Sequence, residues 1–257
     1  IERTVTVNSF YMDETEITNK YWKEYVFYAN KDSTQQFAET TLPNDEVWFS
    51  EFSFNDVYAE NYYSNPGYND YPVVGVTWEQ VSDYCTWRTA VVNNQVREIA
   101  GYGDTLSRQE LIERVVSLPA FRLPNEAEWE YAARGGQNMT TTRYAGSDVL
   151  DDVAWYSGNS GLVTHTVGLK PPNEIGIYDM TGNVQEYTSY DFYLYNTYPK
   201  CNPLTTDSTA NLYLDHAVIF SRGGSYGLLE QYMFLARRQG MGKIRNINDL
   251  GFRLAKT

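Results

Sequence analysis

The sixteen residues from Phe121 to Gly136 constrain this chain more than any other stretch. Phe121-Arg122-Leu123-Pro124 leads into Asn125, whose short polar side chain suits a helix N-cap. A helix follows through Glu126, Trp129, Tyr131 and Ala132. It ends at Arg134-Gly135-Gly136, where a glycine can take the left-handed C-cap conformation. Beyond it the pattern changes. Residues 137 to 257 read as short strands, turns and glycines with almost no helix.

Upstream, Arg3 to Tyr11 alternates Val5, Val7 and Phe10 with polar residues and predicts a strand. Thr18 is placed as the N-cap of a helix over Asn19 to Asn30, with Tyr21, Trp22, Tyr25, Val26 and Ala29 at helical spacing. Pro72 to Val76 reads as a short buried strand. Thr77 caps the next helix, which carries Trp78, Val81, Tyr84, Cys85 and Arg88. Residues 101 to 118 look like an insertion with an amphipathic helical piece near Gln109 to Val116. Residues 31 to 71 are rich in Asn, Asp, Ser, Pro and Tyr and have no period, so they read as a long ordered excursion stapled by aromatics. Tyr190 to Asp215 reads as another surface loop. With no linker and no internal repeat, residues 1–257 are expected to form a single domain.

The excursion draws on a large aromatic stock of 23 Tyr, 11 Phe and 6 Trp. Tyrosine is amphipathic and inexpensive to order, so the surplus suits loops that pack on themselves or loops that bind partners; both readings stand at this point. The net charge of -13 argues against nucleic-acid binding, which wants a basic stripe. Two cysteines, Cys85 and Cys201, make neither a disulfide framework nor a Cys-rich zinc site, and two histidines do not suggest a histidine metal site. No run of about 18 apolar residues is present.

Three carboxylates on the central helix, Glu126, Glu128 and Glu130, could serve acid–base chemistry. Beside Trp129 and Arg134 they read better as helix caps and salt-bridge partners. Arg222-Gly223-Gly224-Ser225 reads as a tight strand with close backbone approach. Arg253 is expected to pair with a buried carboxylate.

Taken in order, six segments resemble the formylglycine-generating enzyme (sulfatase-modifying factor) family across nearly the whole chain. They are Phe10 to Asn19, Pro72 to Trp78, Phe121 to Gly136, Asn173 to Tyr187, Arg222 to Tyr226 and Gly251-Phe252-Arg253. The family's opening glycine-rich strand is not matched. The resemblance implies an α+β, C-type-lectin-like fold, loop-rich, with few helices and short antiparallel strands.

In catalytic members two cysteines after the Arg-Gly-Gly-Ser motif bind copper(I), a soft metal that selects thiolates. By position they correspond to Leu228 and, approximately, Met233, so the resemblance implies a non-catalytic member with no copper. A packed Met233 is expected, and Cys85 is expected as a buried free thiol because its usual partner position holds Leu254. The resemblance also implies a structural calcium on the Asp179 side chain, the Gly182 and Val184 carbonyls and the Glu186 carboxylate, a mixed oxygen set suited to a hard cation.

Among non-catalytic branches, the excursion, Tyr84 to Thr89 and the Arg237-Arg238 pair are similar to the ring-forming lipoprotein of the type IX secretion and gliding-motility machinery. That implies a scaffold or binding subunit of a cell-envelope assembly in a Bacteroidota-like bacterium. Such a subunit is extracytoplasmic, periplasmic or outer-membrane-associated, oligomeric, bound to protein partners, and tied to membrane only through a lipid anchor outside this chain. One alternative is a variable binding protein of a diversity-generating retroelement, with Tyr232, Phe234 and Met241 on the diversified surface. Another is an enzyme of oxidative cysteine chemistry on the same fold. Asn138-Met139-Thr140 matches a glycosylation sequon that is expected to be idle.

Overall fold

The computed structural model describes residues 5–32, 35–49, 56–101, 110, 117–189, 218–242 and 245–257. The expected helical piece at 109–116, apart from Glu110, and the expected loop at 190–215 lie outside these residues.

Two long helices make one wall of the core. Helix α1 (Asn19–Asp32) buries Trp22, Tyr25, Val26 and Ala29 and turns Tyr21 outward, as a helical stripe requires. Its start differs from expectation. The Thr18 hydroxyl has no partner, and the first amides of the helix donate to the Tyr71 and Asn69 carbonyls. A neighbouring loop therefore caps this helix, a long-range contact that no local pattern encodes.

Four short helical pieces break up the excursion that showed no period. They are α2 (Gln35–Thr40), a 3-10 turn at Asp45–Trp48, α3 (Asp56–Asn61) and a 3-10 turn at Pro66–Tyr68. The rings of Trp48, Tyr58, Tyr62, Tyr68 and Tyr71 close on one another with centroids 4.6 to 6.2 Å apart. The buried members pack against Val74, Val184 and Tyr226 of the body. Of the two readings of the tyrosine surplus, self-packing holds in this segment.

Pro72 to Val76 is buried, but it is not a strand. Pro72 makes a single bridge to Thr18, and Gly75 turns the chain at φ 75°. A Cβ there would sit 2.5 Å from the Asn44 carbonyl oxygen. Helix α4 (Trp78–Ile99) runs well past the expected Arg88. Its cap is as expected: the Thr77 hydroxyl accepts from the Gln80 amide and the Gln80 side chain accepts from the Thr77 amide. Tyr84 of α4 stacks on Trp22 of α1, and Phe252 meets both edge-on.

Helix α5 (Glu126–Ala133) has the Asn125–Glu128 capping box and ends at Gly135, φ 89°. Helix α6 (Leu150–Val153) is a single turn. Strand β1 is only Tyr11–Met12, shorter than and shifted from the expected Arg3–Tyr11, and it pairs with β6 (Ala255–Lys256). The main sheet orders β4 (Gln239–Gly242), β3 (Val218–Arg222), β2 (Gln185–Tyr187) and β5 (Leu250–Gly251). The β2–β5 pair is parallel and the others antiparallel, so one pairing departs from the all-antiparallel expectation. The register sets Glu186 between Arg222 and Gly251 at the centre of the sheet. The architecture is α+β and loop-rich, as the resemblance implied.

Candidate functional site

The three glutamates of α5 are structural. Glu128 closes the capping box and pairs with Arg122 at 2.7 Å. Glu126 holds Arg238, and Glu130 holds Arg222 at 2.5 Å and Arg134 at 2.8 Å. Burial alone would raise the Glu130 carboxyl, but Arg222 and Arg134 outweigh it and hold it below the usual carboxylate range.

Strand β3 leaves the sheet through Arg222-Gly223-Gly224-Ser225. Arg222 is buried against the Trp129 ring, 5.2 Å from its centroid, and also donates to the Leu235 carbonyl at 3.0 Å. The two glycines take φ 93° and 76°. Gly224 is needed for close approach as well: a Cβ there would lie 2.7 Å from the Met233 sulfur. Ser225 donates to Asp249 at 2.7 Å, which pins the turn.

The chain then passes Leu228 and enters a 3-10 turn at Glu230–Tyr232. Met233 is 1% exposed and packs with Tyr144, Leu150, Val153 and Ala154, with Leu228 and Tyr156 at the rim. Met233 is the packed methionine expected. Leu229, Tyr232 and Phe234 face outward, 58%, 37% and 44% exposed. Met241 does not join them: it lies in β4, 4% exposed, inside the main core. Its expected place on a variable surface is corrected, because strand alternation turns it inward.

The second focus lies behind the sheet. Glu186 receives Arg253 Nε and Nη2 at 2.8 and 2.7 Å, and Trp129 Nε1 at 2.8 Å. Arg253 is thereby paired with a buried carboxylate, as expected. Asp179, at φ 56°, accepts the Gly168 amide at 2.7 Å. Burial, chiefly, raises its carboxyl to about 6. Glu16 was not singled out from sequence, since nothing local marks it. It accepts from Asn183 Nδ2 at 2.8 Å and from the Val184 amide at 3.1 Å. Burial first, then Asp179 and Glu186, push its carboxyl well up. Of these three buried carboxylates only Glu186 is bonded to Arg253; Glu16 and Asp179 feel its charge without touching it. Gly182, φ 89°, and Val184 lie on the same turn between Asp179 and Glu186. Among the described residues no group of three or more His, Cys, Asp or Glu side chains is arranged to hold a metal ion. An ion on the expected set would therefore lean on backbone carbonyls and share Glu186 with Arg253.

Cys85 is a free thiol on α4, 6% exposed in the main core beside Leu254; burial pushes it up to about 12. Such a thiol is inert at neutral pH. Cys201 lies outside the described residues.

Residues 2–257 match the Sulfatase-modifying factor enzyme 1-like domain family. The chain is similar to the chaperone protein LppX of Paenibacillus barcinonensis, 29% identical over 211 residues, 72% of this chain and 64% of that one. It therefore spans less than two thirds of that relative's length. It is similar to the formylglycine-generating enzyme of Bos taurus, 25% identical over 297 residues, 98% of this chain and 67% of that one. It is also similar to the inactive C-alpha-formylglycine-generating enzyme 2 of Bos taurus, 29% identical over 135 residues, 48% of this chain and 34% of that one. Among solved structures, Treponema denticola variable protein 1 superposes with a TM-score of 0.62 at 24% identity, covering 98% of this chain and 86% of the other.

Proposed function

The chain belongs to the sulfatase-modifying factor enzyme 1-like family, and from that premise we propose that it is a non-catalytic member acting as a binding or scaffold subunit. One observation carries the reading. Where the family resemblance places two copper-binding thiolates, this chain has Leu228 and Met233, packed among Tyr144, Leu150, Val153 and Ala154. A thioether over an apolar floor cannot assemble a thiolate copper site. The same turn lifts Leu229, Tyr232 and Phe234 into solvent, and exposed aromatics are the residues binding surfaces favour. A family relative named as a chaperone and another named as inactive are in keeping with a binding role.

The finer proposal is a subunit of a cell-envelope assembly of the type IX secretion or gliding kind, extracytoplasmic and oligomeric, with a structural calcium on Asp179, Gly182, Val184 and Glu186. The self-packed tyrosine excursion moves the proposed interface from that segment to the Leu229–Phe234 turn. Tyr232 and Phe234 on this turn also suit the variable-binder alternative, whereas buried Met241 does not.

The test is the mass of the native particle from its source membrane, with co-purifying chains identified, for the parent protein and Phe234→Ala. A large assembly with a fixed partner, weakened by the substitution, supports the reading. Stoichiometric copper, with oxygen consumed in the presence of a thiol peptide, overturns it.

A further inference from the structure

Five side chains from three segments meet beside the Leu229–Phe234 turn. The Phe234 ring stacks on the Tyr144 ring, with centroids 6.0 Å apart and planes 11° from parallel. The Tyr144 hydroxyl reaches Glu230 at 3.5 Å. Tyr156 donates its hydroxyl to Asp151 at 3.0 Å. That hydrogen bond, more than burial, pushes the Tyr156 hydroxyl up, and Asp151, Glu230 and Tyr144 all bear on it electrostatically. Tyr156 packs with Leu228 against the buried cluster that holds Tyr144, and the Ser157 amide donates to the Leu228 carbonyl at 3.0 Å, so the Tyr156–Asp151 pair lies against the same turn. Gly158 permits it: a Cβ there would lie 2.6 Å from the Tyr156 ring, so the ring folds over bare backbone.

Glu230 and Asp151 are exposed, and neither is in an ion pair among the described residues. Lys170 donates to the Asp151 backbone carbonyl and lies over the Trp155 ring, 4.4 Å from its centroid, instead of pairing with the carboxylate. The turn already holds one cation by its own chemistry: the Arg237 guanidinium lies 4.1 Å from the Tyr232 centroid. Aromatic faces bordered by unpaired carboxylates are the surroundings that attract a cationic side chain.

The geometry points to this constellation as a docking site for a basic segment of a protein partner, with an arginine or lysine side chain set against the exposed Phe234 ring and the half-buried Tyr156 ring and paired with Glu230 or Asp151. This rests on the binding reading above and names the chemistry of the partner at that surface. It also gives the excess negative charge of the chain, -13 overall, a local use.

A fluorescently labelled peptide, Gly-Leu-Arg-Gly-Arg-Leu-Gly with blocked ends, tests it by anisotropy against its citrulline counterpart. Citrulline keeps the shape and hydrogen-bonding groups but removes the charge. The arginine peptide is expected to bind, more weakly as salt rises, and the citrulline peptide about tenfold more weakly still. Phe234→Ala and Glu230→Gln are each expected to weaken the arginine peptide about threefold or more, while Glu46→Gln, an exposed glutamate on a different segment, leaves it unchanged. Equal binding of the two peptides, no binding of the arginine peptide, or equal loss with Glu46→Gln overturns the inference. A native assembly weakened by Phe234→Ala but indifferent to Glu230→Gln overturns it too and leaves the binding reading standing.

Discussion

Arg253 and Glu186 are both fully buried and face each other in a two-point pair, Nε to Oε2 at 2.8 Å and Nη2 to Oε1 at 2.7 Å. The guanidinium also takes the Asp13, Glu14 and Tyr178 carbonyls, so one side chain ties the N-terminal segment, the Asp179 turn and the sheet together. Removing one partner leaves the other charge stranded. Arg253→Met is expected to cost about 3–5 kcal/mol in urea unfolding. Adding Glu186→Gln should recover part of the loss, because the stranded carboxylate is gone. A double variant no more stable than the sum of the single losses would show the two residues act independently.

Gly224 and Gly176 separate strain from crowding. Both have positive φ, 76° and 82°. Only Gly224 has a neighbour in the way, the Met233 sulfur; nothing lies within 4 Å of a Cβ on Gly176. Gly176→Ala should cost roughly 1 kcal/mol, the left-handed penalty alone. Gly224→Ala should cost about 2–4 kcal/mol, since the packed methionine must move as well. Equal losses in denaturant titrations would mean that Met233 yields freely.

Periodicity and capping made α4 and α5 legible, since Thr77 with Gln80 and Asn125 with Glu128 are local signals. The role of Arg253 was legible as a buried cation needing a partner. What stayed hidden was settled at long range. Thr18 looked like a cap, yet carbonyls about fifty residues away do the capping. The four short pieces within 31–71 leave too little length for a hydrophobic period. At the candidate site the motif carried Leu228 and Met233, but Tyr144, Tyr156 and Asp151 come from irregular or single-turn segments that join it only in the fold. Glu16 went unmarked because its partners, Asn183 and Val184, are distant in sequence.

The tyrosine excursion should behave as core. Trp48 is 3% exposed and touches Tyr58 and Tyr62. Trp48→Ala is expected to cost about 3–5 kcal/mol. Tyr62→Phe removes the hydroxyl that donates to Pro72 at 2.6 Å and should cost about 1–3 kcal/mol, because that buried carbonyl loses a donor. Unfolding curves unchanged by both would return the segment to the surface.

Glu130 sets an acid-side dependence. Its carboxyl is held below its ordinary 4.5 by Arg222 and Arg134 despite burial. The native state therefore binds its proton less readily than the unfolded chain, which contributes stability above about pH 4.5 that is lost as pH falls through the lower native value. Glu130→Gln should be less stable than the parent at neutral pH, with the gap closing as pH falls below about 4.5. A gap that stays constant over that fall would assign the loss to packing instead of charge.

The proposed calcium makes the sharpest demand on the Asp179 turn. Glu16, Asp179 and Glu186 lie buried with one guanidinium among them, so the folded state carries uncompensated negative charge whenever all three are ionised. A divalent cation on the Asp179 carboxylate and the Gly182 and Val184 carbonyls would offset that charge. Binding only to the native state adds about 2.7 kcal/mol of stability at a hundred times the dissociation constant. Added calcium should therefore raise the melting temperature of protein stripped with a chelator. Asp179→Ala should abolish the rise, whereas Asp179→Asn, which keeps an oxygen ligand, should need more calcium for the same effect. A melting temperature indifferent to calcium in the parent protein would mean that Arg253 and bound protons balance the turn unaided.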